Sequence, residues 1–387
     1  MRDRALASEL LALLVALALG CGHEDVRPLP PSPPRKPDSA RFYTASHVAV
    51  RYEGRIDARD PDAPRFAWPA SGFRLRFRGT RLVLRFRDVP YTDEIHDTDL
   101  LAAYVDSRAP VTIPLVEGVR DYPIVEGLPD GVHEVRILKR TEAEAGTVTF
   151  LGADVAPGQR FLEPPPPFRR RILAVGDSIT AGYGIDGPDA NCHFSAGTEN
   201  ATRSYAFLAA KTLEAGYQAI AWSGRGVYRN YDPGHPETIP SVYDRVIPTE
   251  PEPLYDPAAF DPQAVVLNLG TNDLFRPHPD RAAFVAAYAG LLDRIRRDHP
   301  RAHLVLVVGP MLADDYPPHS HALSKALQWV GGLVDARRRA GDRRISFLQL
   351  YGADPADGYG CDYHPSFTTH RKMAEALVAH LRARAGF

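Results

Sequence analysis

The sequence predicts two domains: an all-β sandwich or jelly roll, then a three-layer α/β domain on a five-stranded parallel sheet. Three observations carry that reading. A proline run, Pro164 to Pro167, divides the 387 residues, a length already more than one ordinary domain needs. Before the run, apolar residues recur at every second position, the period of strands with one buried face. After it, short apolar runs alternate with segments of helical period, which puts helices on both faces of a parallel sheet.

The first segment is an address. Arg2 and Arg4 precede the apolar run Leu10 to Leu19, and Gly20-Cys21 follows. Ten apolar residues span about 15 Å as a helix, half a bilayer core, so residues 1–20 read as a signal peptide and not a membrane anchor. Ala18-Leu19-Gly20-Cys21 resembles a bacterial lipobox, with Ala18 where leucine is usual. Cys21 is then the lipidated first residue of an extracytoplasmic lipoprotein of the outer membrane, periplasm or cell surface. The alternative is a secreted protein with a cleaved signal and an incidental cysteine. In the lipoprotein reading, contact with a membrane runs only through this lipid anchor. Residues 21–39 hold six prolines between Pro28 and Pro37, a semi-rigid stalk because proline fixes φ and cannot donate to a ladder.

Residues 40–162 are the predicted sandwich. In Phe73-Arg74-Leu75-Arg76-Phe77-Arg78, apolar residues alternate with arginine, and Leu82, Leu84 and Phe86 resume the apolar face after Gly79-Thr80. That reads as a hairpin with one buried and one wet face, its arginines keeping the sheet soluble. Val48 to Ile56, Val132 to Lys139 and Thr147 to Leu151 are further strands. Residues 163–170 form a second proline-rich linker. From 171 to 387 the expected strands are Ile172 to Val175, Ala219 to Trp222, Ala264 to Leu269, His303 to Val308 and Ile345 to Leu350. The expected helices are Ser204 to Gly216, Arg281 to Arg297, Leu323 to Arg339 and Thr369 to Ala385.

Composition removes several function classes. Forty-six basic against 48 acidic residues leave a net charge of −2, without the basic footprint of a nucleic-acid binder. Three cysteines are too few for a disulfide scaffold or a four-cysteine zinc site. Gly182-Tyr183-Gly184-Ile185-Asp186-Gly187 fits a dinucleotide fingerprint in letters, but Pro188 follows and no helix opens there. His319 and His321 are two ligands where a structural zinc wants four. No Gly-x-Ser-x-Gly elbow and no His-Glu-x-x-His signature occurs. The expectation is no metal and no cofactor.

Ligands on parallel α/β sheets bind beyond the carboxyl ends of the strands. Beyond the first strand lies Gly176-Asp177-Ser178-Ile179-Thr180, beyond the second Ser223-Gly224-Arg225-Gly226, and beyond the third Gly270-Thr271-Asn272-Asp273. Cys361-Asp362-Tyr363-His364-Pro365 precedes the last helix. A serine, a glycine amide, an asparagine amide and a histidine thus converge on one rim, the set that acyl transfer needs. Ser178 attacks, His364 takes its proton and returns it, and the Ser178 and Gly224 N–H groups with the Asn272 side chain meet the oxyanion. Asp177 and Asp273 brace their loops. Trp222, Tyr228 and Tyr231 either stack on a sugar ring or simply pack.

Those four blocks, in order over the C-terminal 215 residues or so, resemble the SGNH (GDSL) hydrolases, which implies a flavodoxin-like α/β domain with Ser178, Gly224, Asn272 and His364 in the roles just given. A narrower resemblance is to carbohydrate esterase family 2, which places a jelly roll before an SGNH domain. It is carried by Gly176 to Gly184, Cys192-His193-Phe194-Ser195 with Thr198-Glu199-Asn200, Gly224 to Asn230, and Cys361 to Ser366. The resemblance implies a serine esterase that removes acetyl groups from polysaccharide hydroxyls. Rival readings are a lipid or thioester esterase using the same site, and a non-catalytic polysaccharide-binding lipoprotein.

In the wider SGNH pattern an acid sits three residues before the histidine, and Cys361 occupies that place here. Asp362 is then the nearest acid for a triad, and a backbone carbonyl is the alternative partner of His364. With Cys21 lipidated, Cys192 and Cys361 remain in a compartment that permits disulfides. Both lie in loops that must reach the same rim, so a Cys192–Cys361 bridge is expected, against two separate inert thiols.

Overall fold

A computed structural model describes residues 31–32, 42–91, 98–350 and 354–387. The signal segment, Cys21 and all of the stalk except Pro31 and Ser32 lie outside the described residues.

The first domain is two antiparallel sheets packed face to face. One contains Phe42–Thr44, Arg65–Phe66, Leu82–Val89, Gly118–Val125 and Thr147–Val155; the other contains Val50–Glu53, Gly72–Gly79, Leu100–Val105, Val111–Pro114, Gly131–Lys139 and Arg160–Leu162. Phe73, Leu75 and Phe77 from one sheet meet Leu84, Phe86 and Phe150 from the other in a sealed core. The expected hairpin is therefore corrected. Gly72–Gly79 and Leu82–Val89 belong to different sheets, and the Thr80-Arg81 link carries the chain across the sandwich. Both strands keep an alternating apolar face because each face covers the other. The wet arginine face is corrected in part. Arg78 is exposed, but Arg74 is buried, ion-paired with Glu53 at 2.6 Å, with its guanidinium 4.2 Å from the Phe168 ring.

The second domain has the five predicted parallel strands, in the order Ala215–Ala221, Arg170–Gly176, Ala264–Asn268, His303–Val308 and Ile345–Gln349. The apolar runs of the first four of these strands in the chain are buried on both faces, as two-sided cover demands, while Phe347 and Leu348 of the edge strand are half-buried. Helices Arg281–Asp298 and Ala322–Arg339 pack Phe284, Leu292, Trp329 and Val330 onto one face. Helices Tyr205–Thr212 and Phe367–Arg384 pack Phe207, Leu377 and Leu381 onto the other. The second strand starts four residues earlier than its apolar run, because Ala215 to Gln218 pair in register with Arg170 to Leu173. The first strand has neighbours on both sides, so the chain order reverses there and a crevice opens beyond its carboxyl end.

The domains interlock. Arg55 of the sandwich is buried against the second domain, 4.4 Å from the Tyr255 ring, and donates to the carbonyls of Tyr243 and Arg245. Arg65 bridges to Glu250 at 2.7 Å, and the Trp68 indole donates to the Arg245 carbonyl at 3.2 Å.

Candidate active site

Ser178 stands at the crevice. The strand Arg170–Gly176 ends, and the buried Asp177 caps the one-turn helix Ser178–Ala181 by accepting from the Ile179 amide at 3.1 Å. Burial without a counter-charge raises Asp177 to about 7. Ser178, Gly224, Asn272 and His364 all line one cavity of about 470 Å³. The four blocks converge because each follows a strand of the same sheet or, for His364, precedes the helix laid across it.

His364 Nε2 is 2.9 Å from Ser178 Oγ, and its Nδ1 is 3.1 Å from the Cys361 carbonyl. A carbonyl can only accept, so Nδ1 carries the proton and Nε2 is left to accept from the serine hydroxyl. The Tyr183 ring stacks on the imidazole at 4.1 Å. Enclosure pushes His364 down to about 4, which keeps the ring neutral at ordinary pH.

Asp362, expected as the triad acid, faces elsewhere. Its backbone is left-handed (φ 53°, ψ 41°), and its carboxylate accepts from Tyr183 Oη at 2.7 Å and pairs with His193 Nδ1 at 2.8 Å. Two residues of extended chain would have put both side chains on one face; the left-handed turn at 362 and 363 rotates them apart. Of the two arrangements open to the sequence, the carbonyl one is present.

Cys192 and Cys361 are joined, with Cα atoms 4.6 Å apart. The bridge is reinforced by Asp362 N–H donating to the Cys192 carbonyl at 3.0 Å and Cys361 N–H to the Gly184 carbonyl at 3.1 Å. The glycines that mimicked a dinucleotide motif serve this junction. Gly184 has φ +63°, and a Cβ there would stand 2.8 Å from the Cys361 nitrogen; one on Gly187 would stand 2.3 Å from its sulfur.

Asn272 donates its side-chain amide to the Arg225 carbonyl at 2.9 Å, with Asp177 Oδ2 at 3.4 Å. Gly224 adopts φ +73°. Among the described residues, neither the Ser178 nor the Gly224 amide has a protein acceptor. Asp273 accepts from the Val227, Tyr228 and Arg229 amides at 2.9 to 3.2 Å and so braces the Gly224 block; burial raises it to about 6. Trp222 is 1% exposed, with its indole donating to Glu144 at 3.1 Å, so it packs and does not meet solvent or sugar. Tyr228 is half-buried, edge-on to Phe284. Tyr231 is exposed on the cavity wall, 5.2 Å from Phe275.

Sequence reasoning missed Tyr183, His193, Glu144 and Glu142. Glu144 reaches the cavity from the sandwich domain. Its signal, Thr141-Glu142-Ala143-Glu144, is that of any charged turn. Among the described residues no group of three or more His, Cys, Asp or Glu is placed to hold a metal, and no helix is long and apolar enough to cross a membrane.

The two-domain architecture has known counterparts. Residues 52–165 match the carbohydrate esterase 2 N-terminal family, and residues 174–372 match the GDSL-like lipase/acylhydrolase family. Cellulase/esterase CelE of Acetivibrio thermocellus is 36% identical over 87% of this chain. That match spans only 40% of the relative's length. An acetylxylan esterase/glucomannan deacetylase of Cellvibrio japonicus is 30% identical over 88% of this chain and 91% of its own. Among solved structures, a family two carbohydrate esterase from Clostridium thermocellum in complex with cellohexaose superposes with a TM-score of 0.81, at 35% identity, over 87% of this chain and 99% of that one. With both domains matched in order and relatives aligned along most of its length, the chain belongs to carbohydrate esterase family 2.

Proposed function

We propose that the protein is a serine esterase that removes O-acetyl groups from a polysaccharide. The observation that carries this is the Ser178–His364 contact, 2.9 Å long, in a cavity lined by unengaged amides. Family membership supports the substrate class: the relatives named above include an acetylxylan esterase/glucomannan deacetylase and a carbohydrate esterase in complex with cellohexaose.

In this reading Nε2 of His364 takes the Ser178 proton as Oγ attacks the acetyl carbonyl. The negative oxygen settles against the Ser178 and Gly224 N–H groups and the Asn272 amide, whose 3.4 Å contact to Asp177 is long enough to be exchanged. The imidazolium returns its proton to the departing sugar hydroxyl. Water then attacks the acetyl-enzyme, with His364 again as base. The Cys361 carbonyl takes the place of a triad acid: it fixes the tautomer and its dipole faces the imidazolium. Substrate enters along an aromatic wall, the exposed Tyr231 and the half-buried Phe275. Cys21 is the lipidated anchor on this proposal, with radiolabelled palmitate incorporation and its loss in Cys21→Ala as the check.

The test is Ser178→Ala measured on acetylated xylan, acetylated glucomannan and p-nitrophenyl esters of two to eight carbons. Hydrolysis should vanish while the melting temperature holds. Wild type should strongly favour acetate over octanoate. More than a few percent residual activity, or an octanoate preference, overturns the proposal.

A further inference from the structure

We propose that Glu142, a residue of the sandwich domain, is the positioning residue that holds the Gly224 amide of the hydrolase domain in place for the oxyanion. This rests on the acyl-transfer reading above.

The anchor is rigid. Glu142 is fully buried in the turn after the strand Gly131–Lys139. Its carbonyl accepts from Lys139 Nζ at 2.7 Å, and that ammonium is itself sealed against Asp99 at 2.5 Å. Its amide donates to Glu199 Oε2 at 2.9 Å. The Glu142 and Glu199 side chains also meet, and two carboxyls in a dry site cannot both ionise. Burial raises both, Glu199 well above its ordinary range and Glu142 to about 7, so the pair shares a proton that Glu199 holds the more tightly. That leaves the Glu142 oxygens directed at Ser223.

Both Ser223 donors are taken by this carboxylate: the amide at 2.6 Å and the hydroxyl by a shorter contact. The next peptide group is the one whose N–H belongs to Gly224. Packing does not hold it there, because a Cβ on Gly224 would find its nearest atom 3.9 Å away, on Tyr231. Its orientation is set from two sides by hydrogen bonds. Glu142 grips Ser223 before it, and Tyr231 N–H grips the Gly224 carbonyl after it at 2.8 Å. Among the described residues the hydrolase domain offers the Ser223 amide no acceptor of its own. The neighbouring Glu144 extends the same arm, taking the Trp222 indole and reaching the cavity wall. One turn of the first domain thus holds two consecutive residues, Trp222 and Ser223, ahead of the glycine.

The experiment compares Glu142→Ala, Glu142→Asp and Glu142→Gln with wild type. Three readouts are taken: p-nitrophenyl acetate kinetics, thermal melting, and hydrogen exchange of the segment 222–231. Alanine deletes the grip. Aspartate keeps the charge but draws it back by one methylene, so it stands in should the alanine variant fail to fold. Glutamine can still accept from the Ser223 amide and donate to its hydroxyl. We expect kcat to fall about 10²-fold in the alanine variant, the scale of a donor displaced by about 1 Å, with KM within twofold. Aspartate should fall in between, and glutamine should keep at least a tenth of wild-type kcat. Exchange should rise in 222–231 and stay unchanged in the strands of both domains. Wild-type kcat in the folded alanine or aspartate variant overturns the proposal. So does unchanged exchange at 222–231, or a uniform rise across both domains that makes Glu142 merely structural. A wild type inert toward every acetyl ester, with exchange still rising at 222–231, removes the esterase reading and leaves the mechanical brace standing.

Discussion

Removing the Cys192–Cys361 bridge should cost both stability and turnover, through two separate routes. The bridge closes a loop of 169 residues. In the chain-entropy model a loop that long denies the unfolded chain about 17 cal/mol/K, or about 5 kcal/mol at 25 °C. For a domain of this size each kcal/mol moves the melting temperature about 2–4 °C, so a drop of about 10–20 °C is expected. The second route is local. The same cysteine lends its carbonyl to His364 Nδ1, and its neighbour Asp362 is pinned to the Cys192 carbonyl. Without the bridge that carbonyl is less firmly placed, and kcat should fall about tenfold while KM stays put, a modest misalignment of the base. The assay is Cys192→Ala/Cys361→Ala, beside reduced wild type, by calorimetry and by p-nitrophenyl acetate turnover well below both midpoints. A melting shift under about 2 °C refutes the entropic route. A full shift with intact kcat refutes the coupling to histidine.

Asn272→Ala should lower kcat by about 10² to 10³, the usual effect of deleting one oxyanion donor; a change confined to KM makes it a substrate-binding residue instead. Asp362→Ala should cost less than about tenfold, since its carboxylate serves Tyr183 and His193, whereas a loss near 10⁴ would restore it as a triad acid. Because burial lowers His364 to about 4, the imidazole stays unprotonated from neutral pH down through the free-histidine range. The acid limb of kcat/KM should therefore fall near pH 4, and a midpoint at 6.5 contradicts the enclosure argument.

The fold was legible where one period dominates a run. Most of the parallel strands are continuous apolar runs and the long helices carry continuous stripes, so these had no competing reading; the second strand did, since Ala215 and Gly216 were expected in the helix that ends at Thr212. That Ser178, Gly224, Asn272 and His364 would share one cavity could be read because strand ends of a parallel sheet share one rim. The errors lie where the answer depends on another part of the chain. Phe73 to Phe77 and Leu82 to Phe86 look like a hairpin locally; only the distant partners Gly131–Lys139 and Thr147–Val155 assign them to opposite sheets. Strands Leu100–Val105, Val111–Pro114 and Gly118–Val125 went unseen, among them a strand with Pro123 inside it. The side to which Asp362 turns is set by two successive left-handed residues, and nothing in Cys-Asp-Tyr-His announces those. Glu142 and Glu144 were invisible as site residues because their partners lie some 80 positions later in the chain.

The interlocked boundary also fixes the order of events while the chain is being made. Synthesis runs from the N-terminus at about 5–20 residues per second. Ser223 follows Glu142 by 81 positions, a delay of about 4–16 s at that pace. Arg55 waits longer, since its acceptors lie 188 and 190 positions on, or about 10–40 s. The sandwich is complete in sequence at Leu162, 61 positions before Ser223 and 81 before Tyr243, so for about 3–16 s of that wait it presents a cation and a carboxylate whose covers do not exist. The nascent chain therefore passes through a stage with a finished core and an unfinished face.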